Sequence, residues 1–385
     1  MNILIINYEF PPLGGGGGVF CRDLAKELSK EHEVDVLTSH FKGLKKHEKL
    51  DAINIYRVPI LGRTSLHHAT MPSLLSFPPS AVIKGMQLFY KKKYDIINTH
   101  FAVPSGPVGI VLSRIFKTPN VLSIHGGDIY NPLKKTSPHR QAPFRWAVRT
   151  ALKEASEVVA QSETIKHYAE ELYHPERDIN IISLGLSKPD FVPLDRKALS
   201  MEDNKFYIIS VGRMAKIKGY DYLIKSIGLL RDQGQDINLI LVGDGPERPS
   251  LEKLSNSLKL SDHIKFTGWI NGEKKFQYLA ACDLYTMSSI HEGFGIVLLE
   301  AMSCGLPIIA TNKGGQTKII DDDKSGILVP PANAEELASA ISELKKNAEQ
   351  RKTIGIYNKE HVKQYGIFAA AEEYLKLFNK VLSSG

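Results

Sequence analysis

The sequence is poor in cysteine and lacks long apolar runs. Its 385 residues include only Cys21, Cys282 and Cys304, and no two of them have the spacing of a zinc site or a redox pair. We therefore expect reduced thiols, with neither a disulfide scaffold nor a cysteine-rich metal site. No apolar run reaches the ~18 residues of a membrane span. The first residues also lack the basic leader and cleavage site of a signal peptide, so we expect a cytoplasmic protein.

The charge is unevenly distributed along the chain. Of the net charge of +7, residues 1–190 carry +6, because 24 Lys and Arg there oppose 18 Asp and Glu. A basic half is typical of proteins that meet lipid headgroups, a phosphorylated substrate or nucleic acid. The alternative is a dispersed charge with no specific partner. The composition, 43% apolar and 24% charged, is that of a folded protein, and the length predicts two domains.

Short apolar runs alternate with helical patterns in both halves, which predicts parallel α/β sheets built from βαβ units. A segment without periodicity, 184–205, is interpreted as a linker, and apolar spacing predicts a last helix over 367–382. We expect two Rossmann-like, doubly wound domains, residues 1–187 and 188–366, that face each other across a cleft. The predicted strands are 3–7, 33–38, 53–58, 95–100, 120–124, 158–160 and 179–182, then 206–211, 238–242, 264–267, 284–287, 307–310 and 326–329.

Residues 63–94 mix apolar side chains with a basic end at Lys91-Lys92-Lys93. This pattern fits a surface that touches lipid or a large acceptor. The alternative is an irregular loop followed by a core helix with a solvated basic end. His67 and His68 have no partner in the pattern, and we expect no metal there.

Five glycines, 14–18, follow the first predicted strand and precede a helix. Such a loop allows close approach of main-chain N–H groups to a phosphate. It is not a Walker A loop, because no Gly-Lys-Ser/Thr follows, and the dinucleotide fingerprint fails at Val19.

Two cations follow the first strand of the second half. Arg213 and Lys218 would project from the carboxyl edge of the sheet, and together they suit a diphosphate. Solvated surface cations are the alternative. After the next strand, the small residues Gly243 and Gly245 are interpreted as opening space for a flat ligand such as a base, although an ordinary turn has the same composition.

The segment from His291 to Met302 carries most of the functional argument. A helix that starts near Gly295 or Ile296 would direct its first N–H groups at the sheet edge. Glu300, about one turn into it, can accept hydrogen bonds from two ribose hydroxyls, and Glu292 can do so for a sugar. A structural cap at Glu292 with a surface Glu300 is the alternative.

Three further side chains are candidates at the edge of the first sheet. His125, in Ser-Ile-His-Gly-Gly-Asp, can bond a sugar hydroxyl or stabilise a developing charge, or it can be a loop histidine without function. Glu9 follows the first predicted strand, His100 stands at the end of another, and both are candidates for the acceptor side.

These motifs together resemble the retaining glycosyltransferases of family four, which have the GT-B fold of two Rossmann-like domains. The resemblance covers nearly the whole chain, and its most specific part is the pair Glu292 and Glu300 with seven residues between them. The other matching segments are Pro11–Gly15, His125, Gly212-Arg213 with Lys218, Gly243–Pro246, Glu300–Pro307 and Gly314-Gly315. Thr317-Lys318 stands where the family often has Pro-Glu, so the acidic side chain of that pattern is absent at this position. Leu184-Gly185-Leu186 stands where the linker often opens with Asn-Gly-Val.

The resemblance implies roles for the candidate residues. Arg213 and Lys218 would clamp the diphosphate, Glu300 would bind the ribose, and His125 would contact the transferred sugar. It also implies catalysis without a metal or other cofactor, retention at the anomeric carbon, and a last helix, 367–385, that returns to the first domain. The remaining implied donor contacts are Gly15 and Gly16 at the phosphates, Gly243, Gly245, Trp269 and Ile270 near the base, Glu292, Gly293, Phe294 and Gly295 at the sugar, and Ile296 and Val297 at the helix start.

We therefore expect a glycosyltransferase that moves a hexose from a UDP- or GDP-sugar to a hydroxyl acceptor, with lipid-linked and polysaccharide acceptors both open. We expect no nucleic-acid partner, and contact with the inner face of an anionic membrane stays a separate hypothesis. The alternatives are a nucleotide-sugar epimerase or hydrolase on the same fold, or a non-catalytic nucleotide-sugar-binding scaffold.

Overall fold

The computed structural model describes residues 1–66, 69–270 and 272–383, so His67 and His68 lie outside the described residues. The chain forms two compact units. The first contains Met1–Ser187 and the C-terminal segment from Tyr365, and the second contains Lys188–Gln364.

The first unit is an eight-stranded sheet with helices between its strands. The strand order is β3-β4-β2-β1-β5-β6-β7-β8, and all neighbours are parallel except β3 and β4. Its elements are β1 (Asn2–Asn7), α1 (Gly16–Leu28), β2 (Glu33–Ser39), β3 (His47–Leu50), β4 (Ile53–Val58), α2 (Met71–Phe89), β5 (Ile96–His100), α3 (Gly106–Phe116), β6 (Asn120–Ile124), α4 (Ala142–Glu154), β7 (Glu157–Ala160), α5 (Glu163–Tyr173) and β8 (Ile179–Ile181).

The second unit is a six-stranded, wholly parallel sheet in the order β11-β10-β9-β12-β13-β14. Its elements are β9 (Tyr207–Val211), α6 (Tyr220–Asp232), β10 (Asn238–Val242), α7 (Arg248–Ser257), β11 (Ile264–Gly268), α8 (Gly272–Ala281), β12 (Leu284–Met287), α9 (Ile296–Ser303), β13 (Ile308–Thr311), β14 (Gly326–Val329), α10 (Ala334–Lys346) and α11 (Ala348–His361).

Each sheet has a topological switch point, where the strand order reverses. It lies between β1 and β5 in the first unit and between β9 and β12 in the second. In open α/β sheets, ligands bind outside the carboxyl ends of the strands at this point. The strands there are buried on both faces, which explains their uninterrupted apolar sequences.

The last helix, α12 (Ile367–Ser383), belongs to the first unit. It packs on α1, and its Tyr374 hydroxyl lies 2.9 Å from Ser123 Oγ below the end of β6. The segment at Leu186 lies beside the segment that precedes α12. Leu186 N–H donates to Tyr365 O, and Ile367 N–H donates to Leu186 O. The helix therefore supports the same strand end that carries His125.

One strand is absent from the sequence prediction. β3, His-Glu-Lys-Leu, is a half-exposed edge strand that pairs antiparallel with β4. Only alternate side chains of β3 are half-buried, so the strand contains no continuous apolar run. A prediction that looks for such runs therefore misses it.

Candidate functional site

Lys218 and Glu292 meet at the switch point of the second sheet. Lys218 ends a short 3-10 turn (Lys216–Lys218) after β9, and Glu292 lies in the loop after β12. Two hydrogen bonds join these segments: Ser288 Oγ donates to Lys218 O at 2.9 Å, and Ile290 N–H donates to Ile217 O at 2.8 Å. The Lys218 ammonium forms an ion pair with the Glu292 carboxylate. Both side chains are therefore fixed at the carboxyl edge of the sheet.

Arg213 lies at the same edge, directly after β9 and Gly212. Its side chain is exposed, and it makes no ion pair with the residues that the structure describes. An exposed guanidinium without a carboxylate partner is ready to receive a bidentate anion.

Glu300 is a buried carboxylate that has an ion pair at one oxygen and no partner at the other among the described residues. It lies on α9 and is 4% exposed. Its Oε1 is 2.6 Å from Lys275 Nζ on α8, while its Oε2 is buried and has no partner in the described part of the chain. Sequence reasoning missed Lys275, although a buried carboxylate requires a counter-charge. The orphan oxygen fits a ligand that donates hydrogen bonds, as ribose hydroxyls do.

The start of α9 offers main-chain groups rather than side chains. Its N-cap, Gly295, has a left-handed φ of 97° and provides no side-chain cap. Phe294 and Ile296 are buried, and Val297 is half-buried. Because the first N–H groups of a helix have no intrahelical partner, those of Ile296 and Val297 are suited to an anion. Gly315 N–H donates to Glu292 O at 2.9 Å and holds the preceding loop.

The role expected for Gly243 and Gly245 needs correction. A Cβ atom at Gly243 would lie 2.1 Å from Gly212 O, and one at Gly245 would lie 2.3 Å from Met214 O. These glycines therefore allow close main-chain packing of the turns after β9 and β10, and they do not open space for a base. Trp269, 56% exposed after β11, and the half-buried Ile270 are the apolar surface at that end of the sheet.

In the first unit, Glu9 faces the glycine loop. Its Oε2 accepts a hydrogen bond from Gly15 N–H at 3.2 Å. The turn before the loop is held by Arg57, whose guanidinium donates to Pro11 O at 2.9 Å. α1 begins at Gly16 without a side-chain cap or an acidic residue in its first turn, and Gly15 and Gly16 are exposed. The loop thus presents main-chain N–H groups beside an anchored carboxylate.

His125 is held at the end of β6 by its neighbours. Its main-chain N–H donates to Asp128 Oδ1 at 3.0 Å, and Asp128 Oδ2 accepts from Ala102 N–H at 2.7 Å. The Phe101 ring packs on the imidazole with centroids 4.4 Å apart. Phe101 has a φ of 70°, a strained conformation for a bulky residue, and such strain clusters at functional sites.

His100 is completely buried, which corrects its expected place at the acceptor side. Its Nδ1 is 2.9 Å from His125 Nε2, and its Nε2 is 2.8 Å from Asn98 Oδ1. Burial holds the pKa of His100 well below its usual range and lowers the pKa of His125 to about 3. Both rings are therefore neutral near pH 7, and His100 is linked through its Nδ1 to His125 Nε2.

Part of the segment 63–94 forms α2, which leaves apolar side chains exposed. Met71, Leu75 and Ile83 are exposed on α2, and Tyr90 is exposed at its C-cap. In the described ranges, no helix is long and apolar enough to cross a membrane. Within the same ranges, no three His, Cys, Asp or Glu side chains gather in a way that could hold a metal ion.

Comparison with known proteins bears on this geometry. The profile of the family Glycosyltransferase Family 4 matches residues 14–187, and that of Glycosyl transferases group 1 matches residues 192–361. A D-inositol 3-phosphate glycosyltransferase of Paenarthrobacter aurescens is 26% identical, with 97% of this chain and 96% of that protein covered.

Two solved structures share the fold over the whole chain. Sucrose-phosphate synthase of Thermosynechococcus elongatus has a TM-score of 0.88 at 24% identity, with 100% of both chains covered. HepE of Anabaena, in complex with UDP and glucose, has a TM-score of 0.81 at 23% identity, with 99% and 100% covered. The GT-B fold is thereby confirmed, and the chain belongs to the family-four glycosyltransferases.

Proposed function

We propose that this glycosyltransferase transfers a hexose from a UDP- or GDP-sugar to a hydroxyl acceptor, with retention at the anomeric carbon. The observation that carries the proposal is the Glu300 carboxylate, which is buried, paired with Lys275 on one side and unpartnered on the other within the described residues. A structural ion pair does not need an orphan oxygen, whereas a ribose site does.

The nucleoside binds along the ends of β10, β11 and α9. Glu300 Oε2 accepts hydrogen bonds from the ribose hydroxyls, and Lys275 forms an ion pair with Oε1 of the same carboxylate. Trp269 and Ile270 border the base. The exposed indole of Trp269 offers an apolar surface to the base, and nearby main-chain N–H and C=O groups offer it hydrogen bonds.

The diphosphate binds between the cations and the start of α9. Arg213 receives one phosphate with its guanidinium, and Lys218 leaves Glu292 to contact the other. The N–H groups of Ile296 and Val297 add favourable potential. As the bond to the sugar breaks, negative charge grows on the leaving diphosphate, and these groups stabilise it. This set neutralises the leaving group with side chains and main-chain N–H groups, which supports a metal-independent reaction without a cofactor.

In the second unit, Glu292 and the loop Gly293–Gly295 are the proposed sugar contacts. In the first unit, His125 is a separate proposed contact for the sugar. Once Lys218 engages phosphate, the Glu292 carboxylate is available to accept hydrogen bonds from sugar hydroxyls. We propose attack on the same face from which the diphosphate leaves, assisted by the leaving phosphate, because the resemblance implies retention and the candidate set includes no evident nucleophile. HepE binds UDP and glucose, which supports a UDP-sugar as the first donor to test.

The experiment is a proton and phosphorus NMR time course with UDP- and GDP-sugars, with and without a pool of hydroxyl acceptors. We expect acceptor-dependent release of nucleoside diphosphate and a product whose anomeric coupling matches that of the donor. An epimerised sugar formed without acceptor would favour an epimerase, and binding without turnover would favour a scaffold. The exposed Lys216→Ala variant serves as the matched control for Arg213→Ala.

We also propose that the α2 face rests on an anionic membrane surface on the cytoplasmic side, where a lipid-linked or polysaccharide acceptor would be met. The exposed Leu75 and Ile83 are eight residues apart and share one broad face of α2, and the exposed Lys91 and Lys93 follow the helix. Apolar side chains next to cations are typical of helices that lie in a lipid interface.

A further inference from the structure

The orientation of the Asn98 amide sets the direction of a buried hydrogen-bond chain. Asn98 Nδ2 donates to Val121 O at 3.1 Å and to Ser123 Oγ at 3.2 Å. A main-chain carbonyl oxygen only accepts, so the amide nitrogen must face Val121. The opposite assignment would bring two acceptors together. Asn98 Oδ1 therefore faces His100, at 2.8 Å from its Nε2.

This orientation fixes the tautomers of both histidines. Because Asn98 Oδ1 accepts, His100 Nε2 must carry the proton, and the Nδ1 of the neutral His100 ring is an acceptor. His125 Nε2, 2.9 Å away, must then be the donor. In the neutral His125 ring, the remaining nitrogen, Nδ1, carries a lone pair and no proton.

That lone pair is buried and unused. His125 Nδ1 has no hydrogen-bond partner in the described part of the chain. It faces the first turn of α1, where a Cβ at Gly17 would lie 3.5 Å from Nδ1 and 2.7 Å from Phe101 Cζ. Glycine at position 17 thus keeps a side chain away from this side of the His125 ring and from Phe101. A buried acceptor without a hydrogen bond destabilises the folded protein, and a ligand group that donates a hydrogen bond to it removes this destabilisation.

We propose that Asn98 and His100 are positioning residues that fix His125 as a hydrogen-bond acceptor, so that it selects a substrate sugar through one hydroxyl that donates its proton to Nδ1. The inference deepens the proposed function and rests on it. The ring accepts from a hydroxyl, and it disfavours a sugar that presents fluorine, a methoxy oxygen or a carbonyl oxygen at that position, because two acceptors would then face each other.

The first measurement is long-range proton–nitrogen NMR of the full chain labelled with nitrogen-15 in histidine, with His125→Gln to assign the signal. We expect the His125 ring to show a protonated Nε2 and an unprotonated Nδ1 without any ligand. Protonation at Nδ1 would overturn the inference whatever the enzyme binds. In Asn98→Leu, which removes the acceptor below His100, the tautomer preference should weaken, while Asn180→Leu on β8 of the same sheet should leave it unchanged.

The second measurement compares binding of UDP-glucose and GDP-mannose with their deoxyfluoro analogues, one hydroxyl at a time. We expect one position at which fluorine weakens binding about tenfold or more, and a smaller loss at that position in Asn98→Leu. Equal binding of every analogue would overturn the selection by His125. Failure of both parent sugars to bind would instead count against the proposed function, and the tautomer measured by histidine NMR would not depend on that result.

Discussion

Lys218 and Glu292, 74 residues apart in the chain, form an ion pair at the carboxyl edge of the six-stranded sheet. Each is a proposed contact of the donor, Lys218 for a phosphate and Glu292 for the sugar. In the free protein the two side chains neutralise each other's charge. An incoming diphosphate competes with Glu292 for the ammonium and in doing so releases the carboxylate. The two ligands are therefore coupled, and the loss of either should affect the use of the other.

Arg213→Ala and Lys218→Ala should each lower kcat by roughly 10²-fold or more, because each removes a positive charge from the leaving diphosphate. Steady-state kinetics with the preferred donor measures this, with Lys216→Ala as the control from the same turn. Arg213→Lys keeps the charge but loses the planar fork, and it should recover activity only in part. Unchanged turnover in Arg213→Ala would contradict the assignment.

Lys275→Met should destabilise the second unit, because it leaves Glu300 buried without its counter-charge. Loss of one partner of a buried pair costs about 3–5 kcal/mol. The double variant Lys275→Met/Glu300→Gln should regain most of the stability but not the nucleotide affinity.

Denaturant unfolding and nucleotide titration separate these two effects. The exposed neighbour Lys274→Met is the control from the same helix. A Lys275→Met protein as stable as the parent, with full affinity, would show that the pair has no role in holding Glu300.

Asp128 should make the stability of the first unit depend on pH. Burial raises the pKa of Asp128 from 3.8 to about 6. Between these values the folded state binds more protons at this group than the unfolded state, so its contribution to stability falls as pH rises from about 4 to 6 and is constant above.

Urea unfolding of the parent and of Asp128→Asn at several pH values isolates this contribution, because the other groups cancel in the difference. The stability of the parent relative to the variant should decline across that window. A difference that rises with pH would mean that the carboxylate is stabilised in its ionised form.

The α2 face should bind anionic vesicles. Leu75→Ser combined with Ile83→Ser should reduce co-sedimentation with vesicles of phosphatidylcholine and phosphatidylglycerol without changing turnover of a water-soluble acceptor. High salt should also reduce binding, because the basic end of the segment is screened. No binding at low salt, or equal binding by the double variant, would count against the membrane contact.

Much of the fold follows from the sequence, because buried parallel strands are continuous apolar runs, as in Ile3–Asn7 and Asn238–Val242. β3 escapes this criterion because its side chains are half exposed. The edges that carry Arg213 and His125 were also predictable, since parallel strands end at one edge of a sheet.

Pairings that depend on tertiary packing could not be predicted. Nothing in the local pattern connects Lys275 to Glu300 or Asn98 to His100, and these contacts depend on how helices and strands from separate segments pack. Gly243 illustrates the same limit, because its close approach to Gly212 O is visible only once both turns are in place.

The central claim is that Glu300 marks a nucleoside diphosphate site, and calorimetric titration with UDP, GDP and ADP tests it most directly. The parent protein should bind one nucleotide saturably, Glu300→Gln should bind it at least tenfold more weakly, and Glu349→Gln, an exposed glutamate on α11, should match the parent. If none of the three nucleotides binds, or if Glu300→Gln binds as tightly as the parent, the account of this site is contradicted.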